Sequence, residues 1–253
     1  FTATVFNTSM DDMGSTTNDV KLSKTFAQAD GAKLNTTFGL FMNVQKVGLT
    51  WNFNQYLMQA TDKNPALLSN STTNSYGATA LGSDVWGGCC TRAIDATYNT
   101  TSPYAVIGWE KGAWTLDGSI RRDNQVATGS YNQAVANQFK PGNAQAINYT
   151  KEHTSYSFGG NYQLDKDLAL FARLSEGVAF NADRIMFGSA AVPMAGGAGV
   201  VPINTVQQLE GGVKMRSGNL STFVTVFQAK TDESNYDATT QKSTANKYDA
   251  KGI

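Results

Sequence analysis

Bond-making chemistry needs a base, a nucleophile or a bound metal, and this sequence offers few of each. His153 is the single histidine, and the two cysteines, Cys89 and Cys90, are adjacent in a glycine-rich segment. A metal centre needs several Cys or His ligands at suitable spacing, which one histidine and one vicinal pair do not supply. The pair reads either as a strained vicinal disulfide or as two thiols. A Ser-His-Asp triad would have to use His153, with a serine on a structured turn. No Gly-x-Ser-x-Gly is present; the stretch GSDVWGG at 82–88 is a different pattern. His153 lies on the polar phase of a strand near Lys151 and reads as an ordinary strand residue. The expectation is a protein that is not an enzyme, with no metal and no cofactor.

A second set of groups suits binding better than catalysis. Arg121, Asp123, Arg173, Glu210 and Lys214 all fall on the polar phase of strand-like segments. They could contact a ligand, or they could pair into a salt-bridged wall. Trp51, Tyr56, Tyr104, Trp109, Trp114, Tyr149 and Tyr162 lie near inferred strand ends, as interfacial aromatic residues do. Trp86 lies in a long connection instead, which makes it the better aromatic candidate for ligand contact. Recognition is expected to draw on residues 61–101, 125–147 and 182–204.

The elements that must position these groups are strands. In 156–164, Tyr156, Phe158, Gly160, Tyr162 and Leu164 alternate with Ser157, Gly159, Asn161 and Gln163. A tight turn, Asp165-Lys166-Asp167, follows, and Leu168, Leu170, Ala172 and Leu174 resume the alternation. Period two on both sides of a short turn is a hairpin signal. Similar runs occur at 1–6, 20–26, 34–42, 51–57, 105–109, 114–121, 206–216, 220–230 and 243–253. Residues 7–18, 60–102, 125–146, 181–204 and 232–240 read as polar loops, and 45–49 as a break. This gives ten or eleven strands, all antiparallel and up-and-down.

The connections are sorted. Asp30-Gly31, Glu110-Lys111-Gly112, Asp165-Lys166-Asp167 and Ser217-Gly218-Asn219 are tight, and those after residues 60, 124, 180 and 231 are longer. Up-and-down strands put successive connections at opposite ends, so all the tight turns share one end. Short turns at one end and long loops at the other are the pattern of outer-membrane barrels. Strand runs of ~9–11 residues also match a tilted membrane crossing. The backbone supplies the reason: in hydrocarbon an unpaired N–H or C=O costs several kcal/mol, so strands cross only as a closed sheet. The 253 residues carry zero net charge, which gives nucleic acid no electrostatic handle, and no apolar run is long enough for a transmembrane helix.

Several segments resemble TonB-dependent outer-membrane receptors. NDVKLSKTF (18–26) is similar to that family's strand entering a short periplasmic turn. LFARLSEGVAFNADR (170–184) is similar to a strand running into a long outer loop. In 207–237, Glu210, Gly212, Val213 and Lys214 sit as in the family's Glu-x-Gly-Val-Lys strand, and YDAKGI (248–253) resembles the start of another. The resemblance implies a barrel of about 22 strands around a plugged lumen. Residues 1–253 would be its middle, about half of it, with the N-terminal plug and C-terminal strands outside this chain. It further implies a receptor in the cell outer membrane, surrounded by its lipid. Such a receptor imports a scarce nutrient (an iron chelate or siderophore, a vitamin or an oligosaccharide) and is driven by the TonB complex acting through the plug. The competing readings are a plug-free diffusion porin and a secreted β-sandwich adhesin.

Overall fold

The computed structural model describes residues 2–58, 63, 67–69, 92–133, 145–180, 203–237 and 242–253. Among them the order is β1 (Thr2–Ala27), β2 (Lys33–Met58), β3 (Leu67–Ser69), β4 (Arg92–Lys111), β5 (Trp114–Gln133), β6 (Gln145–Asp165), β7 (Leu168–Phe180), β8 (Ile203–Ser217), β9 (Leu220–Asp237) and β10 (Lys242–Gly252). They form one sheet with neighbours β1-β2-β4-β5-β6-β7-β8-β9-β10, and the short β3 pairs with β2. Every neighbouring pair is antiparallel. No helix among the described residues is long and apolar enough to cross a membrane, which says nothing of strands.

The tight turns fall where the sequence places them. Lys111 pairs with Trp114, Asp165 with Leu168 and Ser217 with Leu220, which leaves two-residue turns. Gly112 takes φ +56°, a conformation that side chains with a Cβ rarely adopt. The β1–β2 turn is wider and is closed by the Gln28 N–H donating to the Ala32 carbonyl at 2.8 Å. Its Asp30 accepts from Lys111 of the neighbouring hairpin and from the Ala32 N–H. These two bonds hold the Asp30 carboxyl below the usual carboxylate range.

One face of the sheet is apolar over the turn-proximal half of β1, β2 and β4 to β9. Ladder partners share a face, so register assigns it. Ala105 opposes Ile120, which opposes Tyr156. Phe158 opposes Leu174, which opposes Leu209, and Leu170 opposes Val213, which opposes Val224. Phe158, Ile120, Leu170 and Val224 are 55, 51, 42 and 49% exposed, so no second layer among the described residues covers them. A soluble sandwich would bury this face. At the turn end Trp114 and Tyr162 lie in contact, 4.5 Å between ring centroids and tilted by 42°, where a barrel carries its interfacial aromatic girdle. At the other limit the same face turns polar: Arg122 binds Glu152 and Thr154, Gln207 binds Glu176, and Gln228 binds Asp249.

The strands run far beyond this band, and here several sequence expectations need correction. Residues 7–18 belong to β1 and 45–49 to β2, while 92–102, 125–133 and 145–146 are strand rather than loop. β9 and β10 likewise take in 232–237 and Lys242. At ~3.3 Å per residue a 26-residue strand such as β2 is roughly 85 Å long. Tilted by ~45° it still rises about 60 Å, more than twice a ~25 Å apolar band. In the extra length the polarity inverts. Val47, Ile94, Ala96, Tyr98, Ala127, Tyr131, Ile147 and Tyr149 pack into a buried cluster on the face opposite the apolar band. On the band's own face, Asp95, Asn99 and Thr128 now stand exposed. Beyond the turn-proximal zone the sheet is thus built like a soluble one, wet outside and dry inside.

Candidate functional site

The face opposite the apolar band carries the candidate residues. Its register runs Tyr104–Arg121–Ser155 on β4, β5 and β6, and Asp117–Gly159–Arg173–Glu210 on β5 to β8. Lys214 opposes Ala169 on one side and Phe223 on the other. All five sequence-predicted charged residues therefore share this face. The structure gathers them into two groups rather than one site.

The first group surrounds Asp123, which is 4% exposed. Its Oδ1 accepts from Ser102 Oγ at 2.6 Å and from Arg121 Nε at 2.7 Å. Arg121 Nη2 donates to Ser102 Oγ at 3.1 Å, closing a three-residue ring. The guanidinium lies over the Phe41 ring, 4.7 Å from its centroid, a cation–π contact. Next along β5, Gln125 Nε2 reaches Thr100 Oγ1 at 3.5 Å. On β6, the Nε2 of His153 lies 3.3 Å from Glu176 Oε1.

The second group is Arg173 with Asp117. Nη2 of Arg173 bonds both carboxylate oxygens of Asp117, at 2.7 and 2.8 Å, and Nη1 bonds Ser157 Oγ at 2.6 Å. The guanidinium crosses the strand between them, directly over Gly159. A Cβ there would stand 2.5 Å from Nη2, so only glycine leaves the path open. Glu210 accepts from Gln208 Nε2 at 3.1 Å, and Lys214 Nζ lies 4.9 Å from the Phe171 ring centroid. Glu210 opposes Arg173 in the ladder but forms no ion pair with it among the described residues.

The structure changes the expected place of two aromatic residues. Tyr104 lies on this polar face and donates to Asp19 at 3.0 Å, and Tyr149 is buried in the apolar cluster. Burial pushes the Tyr149 hydroxyl up to about 12. Trp109, Trp114 and Tyr162 do lie at the turn end of the apolar face. Trp86, Cys89 and Cys90 fall outside the described residues, as do the side chains of Trp51 and Tyr56. Sequence reasoning missed Ser102, Asp117, Phe41 and Gln125. The phase of Asp117 with Ser119 and Arg121 placed it on the right face, but its partner needs the register.

A cavity of about 460 Å³ opens beside the first group. Phe41, Asn43, Gln45 and Thr100 line it from β2 and β4, and Arg121, Asp123 and Gln125 from β5. The far wall comes from β7. Its ladder with β6 ends at Tyr156–Glu176, and Gly177, Val178 and Phe180 then reach the same cavity.

The TonB-dependent receptor-like β-barrel family matches residues 1–253. The chain belongs to the TonB-dependent receptor family and represents its β-barrel. Among solved structures, the chain is similar to the ferric yersiniabactin uptake receptor FyuA from Yersinia pestis. The TM-score is 0.52 at 12% identity, covering 91% of this chain and 35% of that one. At that identity the likeness shows the fold alone, and the chain spans about a third of that receptor's length. No curated protein matches the sequence. The antiparallel sheet described above is therefore part of a receptor barrel, with its apolar face as the lipid side and its polar face as the lumen wall.

Proposed function

We propose that this sheet is part of an outer-membrane receptor that binds a scarce nutrient and imports it with energy from the TonB complex. The observation that carries the reading is the opposition of the two faces. Arg121, Asp123, Arg173, Glu210 and Lys214 line one side, and an uncovered apolar band lines the other over the same strands. Lipid on one side and an aqueous interior on the other accounts for both. β1 and β10 are the edges of this sheet. Unpaired edges are costly in hydrocarbon, so on this reading further strands pair with both edges and close the barrel, around a plug of the kind the family resemblance implies. The plug, not this wall, makes the contact with TonB.

On this reading the ion pairs brace the barrel wall, and Trp86 with the loop residues around it contributes to ligand capture. Uptake is the test. Cells expressing the full-length receptor are given labelled ferric chelates, cobalamin and oligosaccharides, with and without a functional TonB. The reading expects uptake of one class to be saturable and abolished without TonB. Non-saturable uptake that ignores TonB would identify a diffusion porin and overturn it.

A further inference from the structure

The cavity beside Arg121 carries information about what it holds. Its two charged groups cancel, because Arg121 Nε is already bonded to Asp123 Oδ1 at 2.7 Å. An anionic chelate would have to compete with Asp123 for the guanidinium and would meet the carboxylate itself. A cationic solute would meet Arg121. The rest of the lining is amide, hydroxyl and aromatic: Asn43, Gln45, Gln125, Thr100 and Phe180. Amides and hydroxyls both donate and accept, and so does every hydroxyl of a polyol. Gln125 is buried and Asn43 and Gln45 are half-buried; a ligand without matching groups would leave the buried amide unmet, which disfavours its binding. The volume, about 460 Å³, sits within the roughly 300–1,000 Å³ range of small-molecule sites.

The contrast with the opposite end of the wall sharpens the choice. There, a second cavity of about 520 Å³ is lined by Lys166, Lys214 and Arg216 with Asp167 as its acid. That cavity is cationic, and the one beside Arg121 is not. The wall therefore places charge-balanced, hydrogen-bonding chemistry on the side reached from the long loops.

We infer that the cavity lined by Phe41, Asn43, Arg121, Asp123, Gln125 and Phe180 binds a neutral, polyhydroxylated solute, an oligosaccharide rather than a charged metal chelate. This rests on the proposed receptor role and narrows its cargo. Hydroxyls pair with Gln125, with Asp123 Oδ2 and with the Nδ2 of Asn43, whose Oδ1 already accepts from Ser15 and Thr17, and Phe180 meets the apolar face of a sugar ring. Gly177 and Val178 set the far wall by leaving the β6 ladder.

The test titrates purified full-length receptor in detergent with maltotriose, sucrose and cellotriose, and separately with ferric citrate. At least one neutral sugar should bind saturably, at least tenfold more weakly in Gln125→Ala and in Phe180→Leu. Adding a charge with Gln125→Glu, which keeps the shape, should weaken the same sugar without recruiting ferric citrate. Folding of each variant is checked by the temperature at which its native gel mobility is lost. Saturable ferric citrate binding that disappears in Arg121→Ala would overturn the assignment. So would the absence of sugar binding across the panel by a folded receptor. TonB-dependent uptake of some other solute would then leave the receptor role intact while removing this cargo.

Discussion

Replacing Asp123 by Ala probes the wall where its wiring is densest. The side chain is 6% exposed and Arg121 is 38% exposed. A fully exposed ion pair is worth about 0–1 kcal/mol, whereas breaking a buried one costs about 3–5 kcal/mol because a charge is left unpaired. Arg121 can turn partly to water, which moves the value below the buried limit. Ser102 cannot, since it is fully buried and its hydroxyl would keep only the 3.1 Å contact from Arg121. An orphaned buried hydroxyl contributes about 1–3 kcal/mol. Asp123→Ala should therefore destabilise by about 2–3 kcal/mol, taken as the buried-pair penalty discounted for Arg121's exposure. Asp123→Asn, which keeps an acceptor toward Ser102, should lose about half as much. The assay is urea unfolding of the full-length receptor in phospholipid vesicles, followed by tryptophan fluorescence, with Ser102→Ala as the companion variant. A change below about 0.5 kcal/mol, the usual range of surface substitutions, would refute the reasoning.

Other substitutions test other parts of the wall. Leu174→Arg and Phe158→Arg place a charge on the lipid face and should each cost about 2–4 kcal/mol near mid-band, while Thr154→Arg beyond the band should cost about 0–1 kcal/mol. Equal costs at the two depths, by the same urea titration, would contradict the boundary drawn at Arg122 and Glu152. Gly159→Ala pushes the Arg173 guanidinium off Asp117 and should cost about 1 kcal/mol, the scale of a partly exposed pair. In an Arg173→Ala background it should cost little, and a double-mutant cycle with no coupling would contradict the overlay on Gly159. Tyr149 gives a pH signature. With its hydroxyl raised to about 12, the unfolded state releases its proton from about pH 10 while the folded state holds it. Stability should fall as pH rises from about 10 toward 12, and Tyr149→Phe should flatten that fall. The Tyr149 hydroxyl has no hydrogen-bond partner among the described residues, so the Phe variant should be no less stable at neutral pH.

The parts of the fold legible in the sequence were those where one physical rule acts over a whole hairpin. From Tyr156 to Leu174 the apolar phase is unbroken, so the strands and their apolar and polar faces could be read directly, while the assignment of the apolar face to lipid needed the sorting of short and long connections along the whole chain. The upper strands were not legible because the apolar phase changes sides. On β6, Ile147 and Tyr149 point to the lumen, whereas Tyr156 and Phe158 point to lipid. On β4, Ile94, Ala96 and Tyr98 precede Ala105 and Ile107 in the same way. A reader following one phase sees the alternation fail between them and assigns loop. The same inversion put Tyr149 on the wrong side, whereas Tyr104 lies on the polar phase next to Ala105 and was taken for an interfacial residue because it is near a strand end. Site residues were legible as types and phases, not as pairs. Asp117 lies 56 residues from Arg173, and Ser102 lies 21 from Asp123. Only the ladder register brings these partners together.

The most direct test of the two-faced wall is an accessibility scan by spin label along β6 of the full-length receptor in lipid, with Cys89 and Cys90 replaced. Single cysteines at 156 through 162 carry the label, and collisions with oxygen and with a water-soluble nickel complex are compared. Labels at 156, 158, 160 and 162 should favour oxygen, and those at 157, 159 and 161 should favour nickel. Uniform exposure to nickel along the whole run, or protection of the even positions from both reagents, would mean that Phe158 and its neighbours do not face hydrocarbon.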